Sequence, residues 1–148
     1  MDDADRMREL KAQGFYCSQI VLIMGMELMG KDNPDLVRAM HALAGGIGFT
    51  GETCGALTGG ACLAGLYAGK GTPKQEDDPR IFFILEELVK WFKNGYGVEY
   101  GGIRCDEILG PGAKNMASRC PIMVMGTLQK VKELLVENGF DLSGLDDV

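Results

Sequence analysis

Apolar side chains recur at intervals of three and four along most of this chain, and no stretch settles into the strict alternation of a half-buried strand. That pattern predicts an all-α fold. Asp5 to Gln13 reads as a short amphipathic helix closed by Gly14, and Tyr16 to Met29 is nearly all apolar, stops at Gly30 and belongs in a core. Asn33-Pro34 offers a cap and a first-turn proline to a third helix, whose inner face is Leu36, Val37, Met40 and Leu43 and which must end near Gly45-Gly46. Asp77-Asp78-Pro79 starts the clearest amphipathic helix, with Ile81, Phe82, Leu85, Leu88, Val89 and Phe92 as its apolar set and Glu86 paired to Lys90 on the outer face. Gly95 to Gly102 and Gly110 to Gly112 read as turns around a short helix carrying Cys105. Cys120-Pro121 then opens a last helix that turns Val124, Leu128, Val131 and Leu135 inward and closes at Asn138-Gly139. The acidic tail from Asp141 to Val148 is expected to be flexible and loosely held.

The chain has 148 residues, the usual size of one domain, so residues 1–148 are expected to form a single helical bundle. Thr53 to Gly69 carries no charge and is dense in Gly, Ala and Thr. It is too short and too weakly apolar for a membrane span, which needs about 20 predominantly apolar residues. A Gly/Ala-rich helix buried at the centre of the bundle is the better reading.

Charge narrows the partners. Lys and Arg number 15 against 21 Asp and Glu, for a formal charge of -6, which repels nucleic-acid phosphates and anionic lipid. No nucleic acid and no direct membrane insertion are expected. The opening Met1-Asp2-Asp3-Ala4-Asp5 is acidic where a secretory signal is basic, so a cytoplasmic location is expected. In that reducing compartment the five cysteines, Cys17, Cys54, Cys62, Cys105 and Cys120, point to catalysis, redox sensing or metal binding rather than to a disulfide framework.

Cys54 falls near the start of the Gly/Ala-rich helix, with Thr50 or Thr53 placed to cap it. Unpaired N–H groups and the positive dipole end favour a thiolate there, which would make Cys54 nucleophilic at neutral pH. Each helical glycine costs about 1 kcal/mol relative to alanine, and the expected compensation is close backbone approach, letting distant cysteines converge on Cys54. Tight helix packing without chemistry explains the same glycines. Cys120, between Arg119 and a helix N-terminus, should also be acidified. Cys105, beside Asp106 and Glu107, looks like a resolving thiol, and Cys17 reads as a small buried hydrophobe. Cys62 lies about 12 Å up the same helix from Cys54, beyond disulfide reach, and is read as packing.

Other motifs carry less. Gly46-Ile47-Gly48-Phe49-Thr50-Gly51 matches G-x-G-x-x-G, but no strand precedes it, so no nucleotide is expected. His41, the only histidine, falls on a polar helix face beside Arg38 and reads as a solvated surface residue rather than a base or ligand. The nine methionines follow helical apolar positions and are explained by core packing.

Gly45-Gly46-Ile47-Gly48 followed by Cys54-Gly55-Ala56-Leu57-Thr58-Gly59 resembles the central signature of the C-GCAxxG-C-C family, whose label is redox activity. Cys17 before Ser18-Gln19, Cys105 before Glu107-Ile108-Leu109-Gly110, and Cys120 before the last helix fit its outer cysteines. The resemblance runs from about Phe15 to the final helix and implies Cys17, Cys54, Cys105 and Cys120 as the shared set, with Cys62 outside it. Three functions remain open. A thiol-based oxidoreductase or electron carrier would use Cys54 as reactive thiol, Cys105 or Cys120 as resolving partner, and an unidentified redox partner protein. A metal protein would gather Cys17, Cys54, Cys105 and Cys120 around an iron–sulfur cluster or zinc, although C-x-x-C pairs are lacking. A non-catalytic interaction protein would need neither cofactor nor redox chemistry. The glycine-lined helix also suits a homo-oligomer.

Overall fold

The computed structural model describes residues 1–144 and is all-α, with no strand among those residues. Helix α1 (Asp3–Ala12) is capped by Asp2, whose carboxylate accepts from the Asp5 N–H at 2.8 Å. Helix α2 (Cys17–Leu28) is the apolar core helix, and α3 (Pro34–His41) begins as expected, with the Asn33 side chain accepting from the Leu36 N–H at 3.1 Å. A single turn, α4 (Ala44–Ile47), leads into the Gly/Ala-rich helix α5 (Gly55–Ala68). Then come α6 (Arg80–Phe92), a π-helical turn at Lys93–Gly97, and α7 (Val98–Tyr100). Helix α8 (Cys105–Leu109), a 3₁₀ turn at Pro111–Ala113 and the long α9 (Met116–Glu137) complete the chain.

Helix α5 stands at the centre, packed on α2, α9 and α6. Its glycines explain the contact. A Cβ on Gly59 would come within 2.9 Å of the Ser18 carbonyl oxygen, and one on Gly60 within 2.6 Å of Thr127 Cγ2. The helix-propensity loss is offset by neighbours seated directly on the α5 backbone. Leu63 of α5 and, around it, Leu22, Ile84, Leu88, Phe92 and Leu135 are fully buried, each contributing about 1.5–3 kcal/mol of apolar burial.

Three expectations require correction. The segment from Gly95 to Gly102 continues as helix to Tyr100, because Tyr96 packs against Trp91, Phe92 and Tyr100; only Gly101, at φ 87°, ends it. Helix α9 starts at Met116, not at Cys120-Pro121, so Cys120 lies within its first turns and Pro121 is inside the helix. Within the tail, the Tyr67 hydroxyl donates to the Leu142 carbonyl at 2.5 Å. The remaining tail residues 145–148 lie outside the described residues. Cys62 is exposed, not packed, because α5 buries its other faces.

Candidate functional site

Two loops meet at the N-terminal end of α5. The first, 45–52, winds through left-handed backbone, with φ of 66° at Gly45, 74° at Gly46, 62° at Ile47, 63° at Gly48 and 63° at Phe49. It is closed by the Glu52 N–H donating to the Gly46 carbonyl at 2.9 Å and by the Thr50 hydroxyl donating to the Gly46 and Ile47 carbonyls. Thr50 is therefore spent inside the loop, and Cys54 itself occupies the N-cap position of α5. No strand precedes this G-x-G-x-x-G segment, so the nucleotide-motif context is missing among the described residues.

The second loop leads into α8. It pairs with the first through one antiparallel bridge, Thr53 with Arg104. The Cys54 N–H donates to the Ile103 carbonyl at 2.9 Å, and the Cys105 N–H to the Glu52 carbonyl at 2.6 Å. Cys54 and Cys105 thus flank one bridged pair diagonally, on the face opposite Thr53 and Arg104. On that outer face, Arg104 forms exposed ion pairs with Glu52 at 2.8 Å and Asp106 at 3.0 Å.

Beneath this junction lies a cavity of about 100 Å³, and Cys17, Cys54, Cys105 and Cys120 all line it. Cys17 opens α2, directly below α5, and its sulfur stands 2.6 Å from where a Cβ on Gly55 would be. Met7, Met116 and Met123 also line it, and its surface is almost entirely apolar. Phe49 and Tyr16 form the rim: both are about half exposed, their rings meet edge to face at 5.3 Å, and Tyr16 stacks on His41 at 5.4 Å. His41 is on the surface, as expected, with this stacking as an addition.

The electrostatics differ from the sequence-based expectation. Cys54 does accept from the Ala56 and Leu57 N–H groups at the helix end, which favours its thiolate. Burial outweighs that effect, the neighbouring Cys17 and Cys120 add to it, and the Cys54 thiol is pushed up to about 12. Cys54 is therefore protonated at neutral pH, not a ready nucleophile. Cys120 is pushed up to about 12 as well, first by burial and then by Cys17 and Cys105. Arg119 does not acidify it. Its guanidinium turns away to cover the Tyr100 ring at 4.3 Å and to donate to the Ile108 carbonyl at 2.7 Å; the cation that does favour the Cys120 thiolate is Lys11. Burial also raises Cys17, against N–H groups of Gly45, Ser18 and its own residue, and raises Cys105.

Cys17, read from its surroundings in sequence as a packing residue, is the thiol whose charge raises the pKa of each of the other three. The rim residues Tyr16 and Phe49 escaped sequence reasoning; the density of glycines from Gly45 to Gly51 was the signal for a wound loop that would hold a side chain outward. Among the described residues no group of three or more His, Cys, Asp or Glu side chains is arranged to hold a metal ion, and no helix is long and apolar enough to cross a membrane.

Neither a curated protein nor a solved structure matches this chain. Its residues 15–134 match the family model C_GCAxxG_C_C, described as "Putative redox-active protein". That span contains all four cavity cysteines and most of the chain, and the protein belongs to this family.

Proposed function

We propose that the cavity is a two-electron thiol/disulfide centre of a cytoplasmic redox protein, in which Cys54 pairs with Cys105 or Cys120 and Cys17 stands beside them. The observation that carries the reading is the sharing of one cavity by four cysteines drawn from four remote points of the chain, while the fifth, Cys62, stays outside. The bridge between 51–54 and 103–106 supports Cys54 and Cys105 as one pair, since the Cys54 N–H to the Ile103 carbonyl and the Cys105 N–H to the Glu52 carbonyl tie their two segments side by side. Reduction stores two hydrogens on sulfur as neutral thiols, a form that an apolar cavity favours.

A second reading, a four-cysteine iron–sulfur or zinc site, is favoured by the presence of all four cysteines on one cavity rather than two. It requires the side chains to draw in around the ion and to release their protons on binding.

Anaerobically purified protein separates the two. The thiol reading expects a colourless, metal-free protein whose free-thiol count, taken after denaturation, falls by two on mild oxidation. That fall should persist in Cys62→Ser and vanish in Cys54→Ser. Stoichiometric iron with acid-labile sulfide, or stoichiometric zinc, would establish the second reading instead.

A further inference from the structure

The oxidant of this centre can be narrowed by proton bookkeeping. When two thiols become a disulfide, two S–H bonds break, one S–S bond forms, and two electrons and two protons must leave. Among the described residues no aspartate, glutamate or histidine lines the cavity to receive a proton, and the one formally charged residue there, Lys11, is cationic. A one-electron carrier would strand both protons in an apolar space, and a hydride acceptor would strand one; burying an uncompensated charge there is strongly unfavourable. An acceptor that takes both protons with both electrons leaves no charge behind.

The shape of the site agrees. Its volume, about 100 Å³, is below the roughly 150 Å³ of a cavity that takes up benzene, so a single ring is seated only with part of it projecting through the mouth. The mouth is framed by the half-exposed rings of Tyr16 and Phe49, in edge-to-face contact. Phe49 is held there at a φ of 63°, next to Ile47 at 62°, left-handed conformations that cost non-glycine residues of order 1–2 kcal/mol each. Backbone strain that holds an aromatic ring out over a thiol-lined cavity is the kind retained where a site needs it.

From these observations we propose that the cavity binds a neutral, single-ring electron acceptor of the quinone class, which oxidises a pair of its thiols. The proposal rests on the thiol/disulfide reading above. The quinone enters past Tyr16 and Phe49, two S–H bonds break, two of their four electrons remain as the new S–S bond, the other two pass with both protons to the quinone oxygens, and a hydroquinone leaves. Every atom and electron is accounted for, and no ion crosses the cavity.

The test uses the full-length reduced protein with tetramethyl-1,4-benzoquinone, whose fully substituted ring resists addition of thiols. Hydroxyethyl disulfide serves as a polar oxidant for comparison, and diamide as a forcing one. The expected result is one hydroquinone formed per protein that loses the mass of two hydrogens, with no mass gain. Phe49→Ala and Tyr16→Ala should slow the quinone reaction about three- to tenfold relative to the hydroxyethyl disulfide reaction of the same variant, the range that loss of an aromatic contact allows. Should an alanine variant alter both rates, Phe49→Leu, which keeps apolar bulk without the ring, makes the comparison. Disulfide formation by hydroxyethyl disulfide or diamide without oxidation by the quinone overturns this inference and leaves the redox reading standing, as does a quinone rate indifferent to the rim. Failure of all three oxidants to close a disulfide among the four cysteines overturns both.

Discussion

The sulfur of Cys17 lies 2.6 Å from the position that a Cβ on Gly55 would occupy, so the residue after Cys54 has no side chain because another cysteine sits there. The Leu43 carbonyl oxygen crowds the same point at 3.1 Å. This contact is what joins the start of α2 to the start of α5, and through it the first cysteine of the chain to the second. It also explains a glycine at a buried helical position where alanine would favour the helix.

Gly55→Ala should therefore destabilise the protein by about 1–3 kcal/mol, the range for overpacking a filled site, and displace Cys17. Gly65→Ala on the same helix meets nothing nearer than Ile81 Cδ1 at 3.9 Å and should stabilise by about 0.5–1 kcal/mol. Urea unfolding of the two variants reads the contrast; equal and opposite-to-expected shifts in the midpoint would show that α5 does not press on Cys17.

Ionisation of the buried thiols makes stability fall at high pH. An ordinary thiol ionises near 9.0, whereas Cys54 and Cys120 hold their protons to about 12 in the folded state. Between those values the unfolded chain has released protons that the folded chain retains. The contribution is fully present below about pH 9 and is lost as pH rises toward 12, at up to about 1.4 kcal/mol per pH unit for each thiol. Other groups titrate in this range, so the measurement is the difference in slope between wild type and Cys54→Ala. A wild-type slope no steeper than the variant's would mean that Cys54 is not held neutral by the fold.

Below that range the same burial slows chemistry. At about pH 7.5 the thiolate fraction of Cys54 is far below that of a free cysteine, so iodoacetamide should label exposed Cys62 first and Cys54 last. Peptide mapping by mass spectrometry gives the order directly.

Left-handed strain in the 45–52 loop predicts two opposite outcomes. Ile47→Gly relieves a β-branched residue at a φ of 62° and should leave stability unchanged or raise it by about 1 kcal/mol. Gly46→Ala would drive a Cβ into the Glu52 backbone and should cost several times more. Thermal unfolding of both variants checks the sign.

Arg104 looks like a clasp between the two cysteine loops, yet its pairs with Glu52 and Asp106 are exposed. Arg104→Ala should cost no more than about 1 kcal/mol and leave the thiol count on oxidation unchanged, because the clasp is the backbone pairing of Cys54 to Ile103 and Cys105 to Glu52. A larger loss, read by urea unfolding, would assign the junction to side-chain charge instead.

Much of the fold was legible along the chain. Asn33-Pro34, the stripe of Leu85, Leu88 and Phe92, and the pairing of Glu86 with Lys90, at 3.1 Å in the folded protein, are local signals, set by hydrogen-bond caps and a period of 3.6 residues. The cysteine spacing and the glycine run were equally visible, and they identified the family that the chain belongs to. Helix boundaries failed where packing overrode them: Tyr96 held helix through Gly95 and Gly97, and α9 began four residues before Cys120.

What sequence alone determined is the inventory: an all-α chain, a small-residue helix fit for a core, and a family resemblance that sets four cysteines apart from Cys62. The tertiary structure decided their chemical state. Whether Cys54 is a thiolate depends on a balance between two N–H groups at a helix end and the loss of water around the sulfur. The first is written in neighbouring residues. The second is contributed by Cys17, Cys120 and apolar side chains tens of residues away, and only folding brings them within range, where desolvation wins.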